Sequence, residues 1–422
     1  MRKAKSTATK ISVSGASSWR HGTLNEVISG VRGGFSVNCE DRTIRSGEIG
    51  VLKTGSVLNG RFRPEEHKAV LPEEVGRVRT SVAAGTIIIC RKNSEEVVGA
   101  SALTFQDHPE LYLSDLLWQI TPADGVSPHW LAALMASERV RCAIRISATG
   151  TQASMKNISQ DRLLALAVPI PPLPEQRKIA EILRTWDEAI EKLEALRAAN
   201  LQRRIWMRTH LFSGRKRLPG CTAVWREVAL SEVLTEHGLQ STGLEEVFSV
   251  SVHKGLINQI EHLGRSFAAA ETGHYNRVLP GDIVYTKSPT GDFPLGIIKQ
   301  SKISQEVIVS PLYGVFTPAT RALGVILDAL FESPVAVRNY LYPLVQKGAK
   351  NTIAITNSRF LEGKLKLPMD PAEQAAIADV VEVSQVELAA IEAEIELLNR
   401  QKRGLMQKLL PGEWRVNAGR DQ

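Results

Sequence analysis

Pro171-Pro172-Leu173-Pro174-Glu175-Gln176 and, 198 positions later, Met369-Asp370-Pro371-Ala372-Glu373-Gln374 decide how this 422-residue chain is organised. The correspondence reaches well beyond the six residues. All of Gly150–Gly214 returns as Gly348–Gly412 without insertion or deletion, because 348 − 150 and 412 − 214 are both 198. Each copy runs from a polar loop through a proline-rich hinge into a long heptad helix, and each ends alike, in Leu211-Phe212-Ser213-Gly214 and Leu409-Leu410-Pro411-Gly412. A duplication that drifts in side chains but keeps its length implies that length itself matters. Two helices lying side by side in fixed register impose that constraint.

Alternating steps of four and three pick out Ile377, Val381, Ser384, Leu388, Ile391, Ile395, Leu398, Lys402, Leu405 and Leu409 in the second copy. The same positions in the first are Ile179, Leu183, Trp186, Ile190, Leu193, Arg197, Asn200, Arg204, Met207 and Leu211. A 3.5-residue period sustained this long predicts a left-handed two-helix supercoil. Asp370-Pro371 with Glu373 predicts an N-cap, a first-turn proline and a capping box, and Pro174 serves the first copy similarly. Roughly 36 residues at ~1.5 Å each make a rod of about 54 Å. Ordinary amphipathic helices packed on a core are the plainer alternative. The polar Arg197, Asn200 and Arg204 on the first seam favour an intramolecular coiled coil, since polar seam residues set register at a cost in stability; pairing with another chain is the remaining option.

The length accommodates two or three domains, and 43% hydrophobic content suffices for buried cores. Lys+Arg 52 against Asp+Glu 45 leave a net charge of +7, which suits a polyanionic partner without proving one. Cys39, Cys90, Cys142 and Cys221 are far apart and form no CxxC pair, so neither a zinc site nor a disulfide framework is indicated and a reducing cytoplasm fits best. Polar residues follow the basic Met1–Lys5 where a signal peptide needs an apolar stretch, and no run of 18 apolar residues exists, so no membrane association is expected.

Upstream of each helix lie about 150 residues of short strand-like runs and turns. The runs are 49–53, 82–90 and 97–103 in the first segment, and 247–252, 282–285 and 303–309 in the second. One or two shorter helices are expected near the end of each segment, for example over 130–146 and 325–346. The texture is α+β. Trp19-Arg20, Leu24 and Val27 match Trp225-Arg226, Leu230 and Val233 at an offset of 206, and Gly85-Thr86-Ile87-Ile88 matches Gly281-Asp282-Ile283-Val284 at 196. From Trp to Gly the two stretches span 66 and 56 positions, so a variable module precedes each matched helix. The expected division is 1–168, a hinge and helix at 169–214, 215–366, a second hinge and helix at 367–411, and a tail at 412–422.

This doubled order of Trp-Leu-Val, a Gly-Asp-Ile-Val strand, a glycine loop, a Pro-rich hinge with Glu-Gln and a heptad helix resembles the specificity subunit of type I restriction–modification systems over essentially the whole chain. The run Pro169-Ile170-Pro171-Pro172-Leu173-Pro174-Glu175-Gln176 carries most of the likeness, and the second hinge departs from it at Met369-Asp370. The terminal Trp414-Arg415 looks like the opening of a third, abortive module, in keeping with the circular two-fold arrangement of that family. The resemblance implies two target-recognition domains related by a pseudo-two-fold axis, double-stranded DNA as ligand, and an asymmetric bipartite site. It also implies two modification subunits using S-adenosylmethionine and restriction subunits using ATP and Mg, in a prokaryotic cytoplasm, with no cofactor bound by this chain. The complex would direct N6-adenine methylation and ATP-dependent restriction. The competing reading is a structural protein whose coiled coil is the functional part and whose flanking modules bind protein.

DNA readers need bidentate donors for base edges and cations or small hydroxyls for phosphates. In the first module Lys53, Thr54, Ser56 and Asn59 follow one strand, and Arg91, Lys92 and Asn93 follow another. In the second module Ser251, His253 and Lys254, and then Lys287, Ser288 and Thr290, stand at similar turns. The duplicated polar loops add Thr151 and Gln152 in one copy and Lys347, Lys350, Asn351 and Thr352 in the other. Taken singly, each fits a solvated loop residue as well. The cluster Arg203, Arg204, Arg208, Arg215, Lys216 and Arg217 reads as a solvated or partner-facing helix end. Catalysis is not expected: there is no Asn/Asp/Ser-Pro-Pro-aromatic motif, no GxxxxGK[ST], no HExxH among the nine histidines and no GxSxG.

Overall fold

A computed structural model describes residues 11–12, 19–150, 155–260, 272–347 and 353–417. The chain forms two compact units that are discontinuous in sequence: Met1–Leu193 with Glu394–Gln422, and Glu194–Ala393. In the first unit a four-stranded antiparallel sheet runs in the order Ser101–Leu103, Ile87–Cys90, Leu117–Pro122, Ile28–Gly33. In the second the order is Ile298–Gln300, Ile283–Tyr285, Gly314–Pro318, Leu234–Glu236. The two sheets share one topology. Strands Ile87–Cys90 and Ile283–Tyr285 start at the 196 offset, and Ile28 and Leu234 at the 206 offset.

What differs is the insertion. The first unit adds a five-stranded sheet, ordered Cys39–Glu40, His67–Val70, Gly50–Leu52, His108–Tyr112, Ser81–Val82, with a core of Leu52, Val57, Ile88 and Leu113. Among the described residues the second has in its place the hairpin Phe248–Ser251/Gly255–Asn258 and the pair Asn276–Val278/Val307–Val309. The shorter Trp-to-Gly stretch of the second module therefore reflects a smaller second sheet.

Of the one or two helices expected near the end of each module, the structure has two in each range. α1 (Pro128–Ala136) and α2 (Glu138–Ser147) part at Ser137, which leaves the helical conformation and accepts from Val140 N at 3.4 Å. α3 is Gln160–Leu164. α4 is Leu173–His210, 38 residues long. In the second unit α5 (Arg321–Phe331) and α6 (Pro334–Leu341) part at Ser333-Pro334, where proline cannot donate to a continuing helix. α7 is Asn357–Glu362 and α8 is Pro371–Leu409, 39 residues long.

The seam is observed within each unit. In the first, Ile179, Leu183 and Ile190 of α4 are buried, Leu409 of α8 lies in the same core as Trp130 and Leu134, and Lys402 Nζ donates to Asp187 Oδ1 at 2.5 Å. In the second, Asn200 is 3% exposed and its Nδ2 donates to Glu387 Oε1 at 3.4 Å, while Arg197 Nε donates to Glu392 at 2.7 Å. Partner numbers fall along α8 as they rise along α4, so the helix segments run antiparallel in this unit. Arg204 departs from the expected seam and donates to Glu332 at the end of α5, as does Arg208.

The hinge motif explains its own repetition. Gln176 Nε2 donates to Pro171 O, and its Oε1 accepts from Ser127 N, the N-cap of α1. Gln374 does the same to Pro368 O and to Thr320 Oγ1, the N-cap of α5. Glu175 accepts from Trp19 Nε1 at 2.8 Å and from Arg415 Nη2 at 2.5 Å, and the guanidinium lies 5.2 Å from the Trp19 ring centre. Glu373 accepts from Arg217 through both carboxylate oxygens, with Arg217 5.7 Å from the Trp225 ring centre. The expected capping box at Asp370 is thus not formed: Asp370 accepts from Ala372 N, and Glu373 is committed to Arg217.

Candidate functional site

Two loops of the first module meet. Asn93 Nδ2 donates to Thr54 Oγ1 at 3.0 Å, which ties the turn after Leu52 to the segment after Cys90. Lys92–Asn93 pairs in turn with Lys156–Asn157, and Lys156 Nζ reaches Gly150 O at 3.4 Å. Asn59 is exposed at φ +59. Lys53 Nζ lies 2.9 Å from Asp41, an anion shared with Lys68; an exposed pair of this kind contributes little net stability. Ser56 leaves the set. It is 0% exposed, because the 3-10 turn that begins at Thr54 folds it inward beside Val57.

Arg91 is half-buried. Its guanidinium carbon lies 5.3 Å from the centre of the Trp118 ring, and its Nε is shut off from solvent without an acceptor. Its backbone is fixed on both sides, N donating to Leu116 O and O accepting from Ile158 N.

In the second module Ser251 Oγ accepts from Lys254 N at the tip of a hairpin whose His253 and Lys254 are exposed. Lys287 is half-buried at φ +57, and burial pushes its amine below the usual lysine range while Glu236 opposes the shift. Ser288 and Thr290 are exposed on the loop that follows. The hairpin and this loop are not joined by any hydrogen bond found among the described residues. Lys347 lies in the strand Gln346–Lys347, paired with Ile353–Ala354. Thr151, Gln152, Lys350, Asn351 and Thr352 lie outside the described residues.

The arginine cluster is mostly committed rather than solvated: Arg203 donates to Asn200 and Glu387, Arg204 and Arg208 to Glu332, and Arg217 to Glu373. Arg215 and Lys216 are exposed. The likeness of Trp414-Arg415 to a module opening is misleading. Trp414 N donates to Lys408 O as Lys216 N donates to His210 O, so 414 and 415 continue the 198 offset from Lys216 and Arg217. Arg415 closes the first unit as Arg217 closes the second, with Arg415–Val416 pairing to Ile11–Ser12. That constant offset could have found the clasp from the sequence. Among the described residues no cluster suits a metal ion, and no helix is long and apolar enough to cross a membrane.

Residues 17–200 match the family model of the type I restriction modification DNA specificity domain. The chain is 24% identical over 179 residues to the type I restriction enzyme EcoEI specificity subunit of Escherichia coli, a match covering 42% of this chain and 30% of that protein. It is 22% identical to a Methanocaldococcus jannaschii protein named as the type I restriction enzyme MjaX specificity subunit, over 95% of this chain and 94% of that one. Among solved structures it is similar to the S subunit of a type I restriction–modification system from M. genitalium, with TM-score 0.61 and 16% identity, covering 96% and 99% of the two chains. A second similar chain, from a study of complex assembly and conformational transition of the type I R-M system, has TM-score 0.52 and 17% identity over 96% and 100%.

Proposed function

We propose that the chain is a member of the type I restriction–modification specificity subunits, whose domain model and solved structures it resembles, and that it is the DNA-recognition subunit of such a complex. It reads an asymmetric two-part site on double-stranded DNA, one part per module, and performs no chemistry itself. Methylation of adenine N6 is supplied by two modification subunits that use S-adenosylmethionine. Cleavage is supplied by ATP- and Mg-dependent restriction subunits, all in a prokaryotic cytoplasm. The observation that carries the reading is one sheet topology built twice, each time with a cation-headed loop at the end of the central strand and a different insertion beside it. Equal scaffolds with unequal insertions suit two reading heads that recognise different half-sites.

The test is the chain co-expressed with its modification subunits. Long-read mapping of methyl-adenine is expected to return one gapped motif with unequal halves, and binding to that motif is expected to weaken steeply with salt. An ungapped motif, or no sequence preference, would sink the proposal. Methylation or cleavage by the purified chain alone would sink its non-catalytic part.

A further inference from the structure

Arg91 and Lys287 occupy the same place in the two units. Each follows the central strand of its four-stranded sheet, at the 196 offset. The residue before each makes the equivalent hydrogen bond, Cys90 N to Ala100 O at 2.8 Å and Thr286 N to Ile297 O at 3.0 Å. Each opens a loop that returns to the edge strand through a glycine in the left-handed region, Gly99 at φ +81 and Gly296 at φ +105. A Cβ on Gly296 would stand 2.9 Å from Lys287 N, so the return is pressed against the cation's own backbone.

Neither head group makes a hydrogen bond or ion pair within the described residues, whereas Lys53, Lys302, Lys402 and Arg217 are all matched to carboxylates. Arg91 has its Nε buried and Trp118 behind it, which leaves the terminal nitrogen fork as the end available to a ligand. Lys287 is held in a backbone conformation that non-glycine residues seldom adopt, the kind of strain that persists where placement of a side chain matters.

Their surroundings differ at one equivalent position. Trp118 pairs with Ile89, and Gly314 pairs with Tyr285, the residue equivalent to Ile89. A Cβ on Gly314 would lie 2.7 Å from Asn357 Oδ1. Its absence lets Asn357 Nδ2 donate to Glu236 Oε1 at 2.5 Å, and Glu236 is the anion acting on Lys287. One cation is therefore backed by an aromatic face, and the other feels a carboxylate that is itself held by an amide.

We propose that Arg91 and Lys287 are the base-reading cations of the two modules, each donating to the acceptor edge of a purine, O6 and N7 of guanine, in the major groove of its own half-site. The proposal rests on the DNA-recognition reading above and sharpens it. Trp118 holds the Arg91 fork in plane for a bidentate contact, whereas Lys287 contributes a single-point donor tuned by Glu236 and Asn357.

Arg91→Ala, Arg91→Lys and Lys287→Ala are made in the full chain, co-expressed with the modification subunits, and compared with the wild-type complex by methyl-adenine mapping and by binding to its mapped site. Arg91→Ala is expected to relax one base pair of one half-site, lowering specific affinity about 5- to 100-fold, with the other half, the spacer and the salt slope unchanged. Arg91→Lys keeps charge and fold but loses the fork, so it is expected to lose most of the same discrimination; it decides the matter if the alanine variant fails to fold. Lys287→Ala is expected to relax the opposite half-site. Uniform weakening across sequences with a salt slope smaller by about one would make these residues phosphate contacts and overturn the proposal, as would an unchanged motif or relaxation of one common half by both variants. A wild-type complex without a two-part motif would refute the DNA-recognition reading itself, a result separable from failure of the two variants alone.

Discussion

Glu175 and Glu373 stand at equivalent positions but carry unequal loads. Glu175 holds both Trp19 Nε1 and Arg415, whereas Trp225 Nε1 is buried without an acceptor and Glu373, 1% exposed, holds Arg217 alone. A hydrogen bond to a charged acceptor contributes about 1.5–3 kcal/mol, and a buried unpaired donor costs a similar amount. Trp19→Phe is therefore expected to destabilise the chain more than Trp225→Phe, by about 1–3 kcal/mol. Urea unfolding of the two variants measures the gap, and equal losses would count against the assigned hydrogen bond. Gly214 and Gly412, which close the repeat at φ +68 and +84, are needed for the same clasp: a Cβ there would meet the Trp225 ring at 3.3 Å and the Trp19 ring at 2.9 Å. A second residue-scale prediction concerns acid. Hydrogen bonds from the Arg42 guanidinium, then from Arg45 N, hold Glu48 at about 2 against the ordinary 4.5. A lowered carboxylate stabilises the fold fully above 4.5 and loses that contribution as pH falls from 4.5 towards 2. Thermal melts of wild type and Glu48→Gln should accordingly differ near neutrality and converge across that window. A gap that persists at the acid end would show that Glu48 contributes through packing and not through its charge.

At the scale of elements, Asn200 on α4 is the informative position. It is nearly fully buried; its Nδ2 donates to Leu196 O of its own helix and to Glu387 of α8, and its Oδ1 accepts from Arg203, so the bond to Glu387 is the part that depends on the register of α4 against α8. Asn200→Leu is expected to leave stability unchanged or raise it while loosening register, as polar seam positions trade stability for specificity. Disulfide trapping of a cysteine introduced at Arg197 against single cysteines introduced at Glu392, its bonded partner in this unit, or one turn away at Leu388 or Glu396 reads the register: the parent sequence should cross-link at 392 alone, and the variant also at a position displaced by a turn. A single cross-link in both would mean that the aliphatic seam alone sets the pairing. How far the fold was legible follows from the same distinction. The long helices and hinges could be read because a constant 198 offset records a spacing, and spacing survives side-chain drift. The breaks at Ser137 and Ser333 are not located by the apolar pattern, which continues across both; a serine cap alone marks the first, and Ser333-Pro334 marks the second. The site was legible as loops and not as contacts: Asn93 meets Thr54 across a sheet the sequence does not advertise, and Ser56, polar and in a turn, is turned inward.

At the scale of the whole chain, α4 and α8 each pass through both compact units without a break, so any change in their length must be absorbed by the proposed reading of a split site. Lys402 bonds Asp187 in the first unit, and Arg197 bonds Glu392 in the second. Extra residues after Leu193 therefore need matching residues after Ile395 if the pairing on either side is to survive. Four residues added at both places lengthen each helix by ~6 Å, about two base-pair steps, and advance its phase by about 40° beyond one full turn, a strain that a two-stranded coiled coil accommodates by local unwinding. The complex with its modification subunits is expected to methylate a site with the same two half-sites and a spacer longer by one or two base pairs. The half-sites stay fixed because Arg91, Lys287 and the rest of both modules are untouched. The same insertion in α4 alone leaves α8 unmatched and is expected to abolish methylation. Methyl-adenine mapping distinguishes these outcomes directly. An unchanged spacer at full activity after the double insertion would mean that the helices do not set the distance between the reading heads, and that the constant length of the repeat serves some other end.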